Sequence, residues 1–241
     1  AIAVLAAVPG PGDVLVQSIL LDDRFSNTAS ETIAFVTNMM VADGIANASL
    51  ALVASNHIAW FGCFGYENRE TGIPVSTVTV FRIGSVSKVF ATLAALQLCD
   101  QGVLSLATTV HACLPEFSLR PRATYPPSSA ITLRQLLGYH SGIPGDLFRF
   151  GDLTVPFGDF SSIALNYLPS TYLLYPTDHV NSYCNTAFTL AEMIVGRMNT
   201  SGVSYVSYCD HRIFRPLGMD STSFFCDKPV ISNHLAVSYL A

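Results

Sequence analysis

Charge is scarce in this sequence, and lysine is the scarcest charge. Only 12% of the 241 residues are charged, and Lys88 and Lys228 are the only lysines among 12 basic residues. No run of Lys and Arg forms and the net charge is −5. That excludes the basic face with which proteins bind nucleic acid. The six cysteines contain no C-x-x-C pair, and no two histidines have the spacing of metal ligands. A zinc ribbon, a redox dithiol and a metal centre are therefore set aside, and no cofactor is called for. Long apolar runs are missing as well. The longest, Ala1 to Val8 and Val14 to Leu21, are split by Pro9-Gly10-Pro11-Gly12-Asp13, and neither reaches the ~18 residues of a membrane span. The first has no initiator Met and no basic flank, which argues against a secretory signal. There is no internal repeat and no low-complexity tract.

What is present is apolar. Half the residues are hydrophobic, enough for a substantial core in one large domain or two small ones. Apolar residues at Ile33, Val36, Met39 and Met40 predict a helix over Asn27 to Asp43, stopped by Gly44. Ser49 to Ala54 and Ile58 to Phe64 read as a strand pair around a turn at Ser55-Asn56-His57, and Val75 to Ile83 as another extended piece. A helix is expected from Ser85 to Gln101 with Gly102 as its stop. Leu104 to Thr171 is loop-rich, carrying Pro115, Pro121, Pro126, Pro127, Pro144, Pro156 and Pro169, with one short helix near Thr132 to Leu137. Asn185 to Met198 and Val203 to Ile213 predict two further helices.

The cysteine count is even, and two sequons occur, Asn47-Ala48-Ser49 and Asn199-Thr200-Ser201. Together they point to a secreted or extracytoplasmic protein. Cys99 with Cys113, and Cys209 with Cys226, are close enough in sequence for disulfides; buried free thiols in a reducing cell fit the same count.

The chemistry concentrates in Phe81-Arg82-Ile83-Gly84-Ser85-Val86-Ser87-Lys88-Val89-Phe90. Ser85 and Lys88, three apart at a helix start, share one helix face. A serine hydroxyl needs an adjacent base, and a lysine amine serves as one when burial or a cationic neighbour lowers its pKa. A helix N-terminus also directs backbone N–H groups at developing negative charge. Lys88 precedes Val-Phe-Ala-Thr-Leu-Ala-Ala-Leu, a helix expected to be buried all round, where a charge is costly unless it has a purpose. The alternative is a lysine that snorkels to solvent. Ser-x-x-Lys alone is a common pattern. Ser87, the competing hydroxyl, adjoins Lys88 and faces away from it.

This segment resembles the serine β-lactamases and penicillin-binding proteins, including the class C enzymes, the D,D-peptidases and the related carboxylesterases. So do Ile131-Thr132-Leu133-Arg134-Gln135-Leu136-Leu137 through His140-Ser141-Gly142-Ile143-Pro144, then Ser182-Tyr183-Cys184-Asn185-Thr186-Ala187-Phe188, and then Ile213-Phe214-Arg215-Pro216-Leu217-Gly218-Met219 with Ser221-Thr222-Ser223-Phe224. Four matches in the family's order are far more specific than one. The resemblance implies that Ser85 is the acylated nucleophile, with Lys88 and Tyr183 as catalytic proton-handling partners. It further implies that Asn185 binds the substrate's acyl side chain and braces Lys88. His140 is expected to lie hydrogen-bonded in a structural turn, with a role as catalytic base as the weaker alternative.

The match departs in two places. Tyr175-Pro176-Thr177 stands where the family usually has Pro-Gly. No Lys-Thr-Gly or His-x-Gly follows Tyr183, and neither Lys228-Pro229-Val230 nor His234-Leu235-Ala236 substitutes for it. In the family that strand donates one of two oxyanion N–H groups, and losing such a donor costs ~100- to 1000-fold in rate.

The expected fold is α+β and β-lactamase-like: an antiparallel sheet part plus an all-helical part, with the site in the cleft between them and the C-terminal strands lacking. Residues 1–82 hold the first helix and strands, 83–229 the mostly helical part, and 230–241 begin the return to the sheet, with more strands expected after Ala241. The expected activity is acyl-enzyme hydrolysis of an ester, amide or β-lactam carbonyl in a small-molecule or peptide substrate. The alternatives are an acyltransferase of the same fold and a non-catalytic binding or regulatory relative.

Overall fold

The computed structural model describes residues 14–145, 165–226 and 229–239; the apolar stretch Ala1 to Val8, Pro156 and Lys228 lie outside the described residues. The chain divides into two compact units, Ala1–Ile83 with Ser221–Ala241, and Gly84–Asp220.

The first unit is a helix on a small sheet. Strand β1 (Val16–Leu20) leads to helix α1 (Ser26–Asp43), then β2 (Asn47–Ala54), β3 (His57–Asn68) and the short β4 (Ile73–Pro74). All pairings are antiparallel, in the order β1-β3-β2 with β4 also on β3. The run Val14 to Leu21 thus supplies a strand although it shows no clean alternation. Ser55 and Asn56 form the two-residue β2–β3 turn with φ of 47° and 64°, the doubly positive geometry that matches the twist of a hairpin.

Helix α1 lays Ala29, Ile33, Val36 and Met40 over Trp60 and Phe64 of β3, an apolar stripe at helical spacing. Met39, expected on that stripe, is 41% exposed. Met40 takes the inward position, and its neighbour is turned about 100° around the helix. Gly62 has room only for a hydrogen, because a Cβ there would strike the rings of both Trp60 and Phe64. The Trp60 indole N–H donates to Ser18 Oγ at 2.8 Å, so the buried polar atom is satisfied.

The stretch Val75 to Ile83 does not form a full strand. A turn at Ser76–Thr79 interrupts it, held by the Thr79 hydroxyl donating to Glu67 Oε2 at 2.7 Å. Only Val80 pairs, in a parallel bridge with Leu235. Residues 234–239 run along this unit, with Val237 N–H donating to Glu67 O at 2.8 Å.

The second unit is helical. A 3-10 turn (Gly84–Ser87) runs into α2 (Lys88–Asp100); α3 (Val110–Cys113), α4 (Leu133–Leu137), α5 (Asn185–Met198) and α6 (Tyr205–Cys209) follow. Helix α4 opens on a capping box between Thr132 and Gln135. The single helix expected over Val203 to Ile213 is instead α6 plus one π turn, Asp210–Phe214. Helices α2 and α5 pack together, burying Ala91, Ala94, Ala95 and Leu98 of one and Ala187, Leu190, Ala191 and Ile194 of the other. Helix α2 is therefore not buried all round. α5 covers its alanine face, while Val86, Val89, Leu93 and Leu96 form an exposed stripe through the 3-10 turn and helix.

No disulfide joins the described cysteines, so neither expected pair is bridged; Cys209 and Cys226 belong to different units. Both sequon amides are engaged. Asn47 Nδ2 donates to Tyr66 O and Val237 O. The buried Asn199 donates to Val195 O, Gly196 O and Val203 O and accepts from Val203 N–H. Among the described residues no helix is long and apolar enough to cross a membrane, and no group of His, Cys, Asp and Glu has metal-site geometry.

Candidate active site

The candidate residues Ser85, Lys88, Tyr183 and Asn185 all fall in the unit Gly84–Asp220. Ser85 lies in the 3-10 turn and Lys88 opens α2, with the Thr92 hydroxyl donating to Lys88 O at 3.1 Å in the first helical turn. The Lys88 ammonium donates to Ser85 Oγ at 3.0 Å. Ser87 is occupied elsewhere, its hydroxyl donating to Gly84 O at 2.7 Å. Of the two neighbouring serines, only Ser85 meets the lysine through its side chain.

Tyr183 reaches the same point from the segment that leads into α5. Its hydroxyl lies 2.6 Å from Ser85 Oγ, and its ring lies beneath the Lys88 ammonium at 4.8 Å. Phe188 adds a second ring at 5.7 Å from that ammonium. Cationic charge over aromatic faces is favourable where water is thinned out. One lysine thus donates to the nucleophilic oxygen while resting on the ring whose hydroxyl bonds that same oxygen.

The approach of Tyr183 depends on the turn that follows α4. Tyr139 accepts from Ser182 N–H at 2.8 Å, His140 O from Asp178 N–H at 2.9 Å, and Gly142 O from Leu174 N–H at 2.8 Å. Asn181 Nδ2 donates to Gly138 O at 3.0 Å. Gly145 lies so close to Tyr183 that a Cβ would strike the Tyr183 carbonyl. The segment 138–145 is a rail along which 174–185 is laid. Tyr139 belongs to it twice over: φ is +60°, a conformation costing an L-residue about 1–2 kcal/mol, and its ring packs on Tyr183 at 5.0 Å and Phe188 at 5.3 Å. Burial, with the neighbouring Tyr183 and Cys184, holds the Tyr139 phenol above its usual range.

His140 serves this rail through its main chain. Its N–H donates to Gln135 O at 2.9 Å, while its Nδ1 is buried without a hydrogen-bond partner among the described residues. Asn185 is the first residue of α5, half-buried, with its N–H donating to Gly145 O at 3.1 Å. Cys184 caps the helix, its sulfur accepting from Ala187 N–H at 3.2 Å.

Two residues near the site were not singled out from sequence. One is Tyr139. The other is Glu192, two turns beyond Asn185 and the only acid of α5. Burial raises its carboxyl to about 7, opposed by the Lys88 ammonium. A lone acid in the run Thr-Leu-Ala-Glu-Met-Ile-Val was the available signal.

The fold has clear counterparts. Residues 32–240 match the family model described as Beta-lactamase. Penicillin-binding protein 4 of Amycolatopsis lactamdurans is 31% identical over 187 residues, covering 73% of this chain and 44% of the relative. The octameric penicillin-binding protein homologue from Pyrococcus abyssi superposes with a TM-score of 0.73 at 26% identity, covering 88% of this chain and 48% of that one. EstCE1, a hydrolase with promiscuous acyltransferase activity, shares the fold with a TM-score of 0.74 at 24% identity, covering 87% and 56%. The chain spans about half the length of these proteins or less. With the family model covering most of its length, the chain belongs to the β-lactamase family and has the β-lactamase-like fold.

Proposed function

We propose that this protein is a serine hydrolase that works through an acyl-enzyme on Ser85. The observation that carries the reading is the double contact on Ser85 Oγ: Tyr183 Oη at 2.6 Å and Lys88 Nζ at 3.0 Å. A hydroxyl contacted by two proton-handling groups is the arrangement an activated serine needs. In this mechanism Ser85 Oγ attacks the carbonyl carbon of an ester, amide or β-lactam, and its proton passes to Lys88 in its free-amine form or to Tyr183 in its phenolate form. The Ser85 N–H stabilises the oxyanion. Tyr183 then protonates the leaving group as the carbonyl–heteroatom bond breaks. Water attacks the acyl-enzyme, and its proton returns through the same pair to Ser85 as the acid departs. Asn185, at the start of α5, contacts the substrate's acyl side chain. A secreted location belongs to the same proposal.

A second reading, acyl transfer to an alcohol or amine in place of water, is favoured by the shared fold with a hydrolase of promiscuous acyltransferase activity.

The test is intact-mass measurement after a fluorophosphonate and, separately, a labelled penicillin, on this protein and on Ser85→Ala. One adduct that vanishes in the variant supports the reading, and the penicillin result narrows the substrate class. Adduct release that speeds up with added alcohol favours transfer. No adduct with either reagent overturns the reading for this chain.

A further inference from the structure

A small cavity opens in the helical unit, near the end of α2 opposite the candidate site. Its volume is about 250 Å³, and Ser201, Val203, Tyr208, His211 and Arg212 line it. Gln97 ties it to α2, its Nε2 donating to Arg212 O at 3.3 Å. Gln97 lies nine residues after Lys88, about 14 Å along the helix axis. Tyr208, His211 and Arg212 fall at i, i+3 and i+4, so α6 and the π turn present them on one face. Ser201 comes from the turn after α5, which Asn199 fixes by donating to Val195 O, Gly196 O and Val203 O.

Every polar side chain lining the cavity can donate a hydrogen bond, and among the described residues no acid lines it. The paired arginines among the described residues are Arg24, Arg197 and Arg215; Arg212 is not one of them, and its side chain is exposed, as is that of His211. Asp210, the acid next to both, is held by Arg215 at 2.8 Å. Tyr208 is only 2% exposed, and its hydroxyl is buried with no hydrogen-bond partner among the described residues. A buried hydroxyl in that condition is costly, and buried polar groups are rarely left so. An oxyanion in the cavity would give the phenol an acceptor and the guanidinium a counter-charge.

We propose that this cavity is a binding site for phosphate, as the free ion or as the phosphate group of a small phosphomonoester. A tetrahedral oxyanion offers acceptors in several directions at once, which suits donors brought from a helical face and from a separate turn. Arg212 supplies the charge and a planar fork of N–H groups. Tyr208 and Ser201 supply hydroxyl donors, and His211 a ring N–H. No residue of the cavity takes part in the acyl-enzyme chemistry above, so the site stands whether or not that reading does.

The test is isothermal titration calorimetry with inorganic phosphate and, separately, glycerol 3-phosphate, at an ionic strength held constant with sodium chloride. The wild-type chain should bind one phosphate with a dissociation constant of about 1 mM or less. The more tightly bound of the two ligands identifies the form of phosphate that the cavity takes. Arg212→Gln, a change at an exposed side chain, should weaken binding at least tenfold. Tyr208→Phe should weaken it by about tenfold. Because that hydroxyl makes no hydrogen bond among the described residues, Tyr208→Phe should leave the melting temperature in chloride unchanged or raised, and should lose most of the rise that phosphate gives the wild type. Lys88→Met should bind phosphate as the wild type does. No saturable binding of either ligand overturns the proposal, and so does wild-type affinity in Arg212→Gln. Binding lost in Lys88→Met and kept in Arg212→Gln would place the anion at the candidate active site instead.

Discussion

The hydroxyls of Ser85 and Tyr183 lie 2.6 Å apart across 98 residues of sequence. Two elements meet at this bond: the 3-10 turn that feeds α2, and the strand-like segment that feeds α5. Both helices bury alanine-rich faces, and small side chains let helix backbones approach closely. The 2.6 Å contact is therefore a consequence of helix packing as much as of the two residues themselves.

Tyr183 is 48% exposed, so removing its hydroxyl leaves the core intact. Tyr183→Phe should keep the melting temperature within about 2 °C while lowering the second-order rate of fluorophosphonate labelling by about 100-fold or more. Lys88→Met should lower it at least as far. Rates equal to wild type in both would remove these residues from the proton path.

Ser87 provides the internal control. Its hydroxyl closes the 3-10 turn onto Gly84 O, a bond worth about 1 kcal/mol. Ser87→Ala should show a small loss in the urea midpoint and labelling within about threefold of wild type. Ser85→Ala should abolish labelling with no loss of stability. The reverse pattern would move the nucleophile to Ser87.

Local elements were well written in the sequence. The first-unit helix appears at Ser26–Asp43 because its stripe and Gly44 act within a few residues, and α5 runs over Asn185–Met198 as read. The hairpin was legible because Ser55-Asn56 interrupts two apolar runs. Strand β1 was not, since Val14 to Leu21 carries no alternation until pairing with β3 assigns its faces. The four site residues were found from motif resemblance, and no local pattern places Ser85 beside Tyr183. Tyr139 and Glu192 escaped notice for a related reason. A tyrosine in a turn and an acid in a helix become significant only once folding packs Phe188 on the one and buries the other.

Gly145 is a steric test of the rail that carries Tyr183. A Cβ at this position meets the Tyr183 carbonyl, and backbone cannot yield as a flexible side chain does. Gly145→Ala should destabilise the unit by about 1–3 kcal/mol and slow labelling by at least tenfold, because the displaced carbonyl belongs to the residue whose hydroxyl bonds Ser85. An unchanged labelling rate would mean that contacts with Tyr139, Lys88 and Ser85 suffice to hold the Tyr183 side chain.

Glu192 makes stability depend on pH in a direction opposite to that of most acids. Its carboxyl stands at about 7 in the folded chain against an ordinary 4.5, so the folded state binds this proton more tightly than the unfolded state. The stabilisation is complete below about pH 4.5 and is lost as pH rises to about 7, after which it stays lost. Lys88 limits the loss by attracting the carboxylate, and partial exposure limits it further. Glu192→Gln keeps a neutral, isosteric side chain at all pH values. Relative to this variant, the wild-type urea unfolding free energy should decline by about 1–3 kcal/mol between pH 4.5 and 7.5 and run parallel above it. Since the other titrating groups are common to both chains, they cancel in the difference. A flat difference across that window would mean that Glu192 ionises as an ordinary carboxylate. A difference that grows in favour of the wild type would mean that attraction to Lys88 outweighs burial.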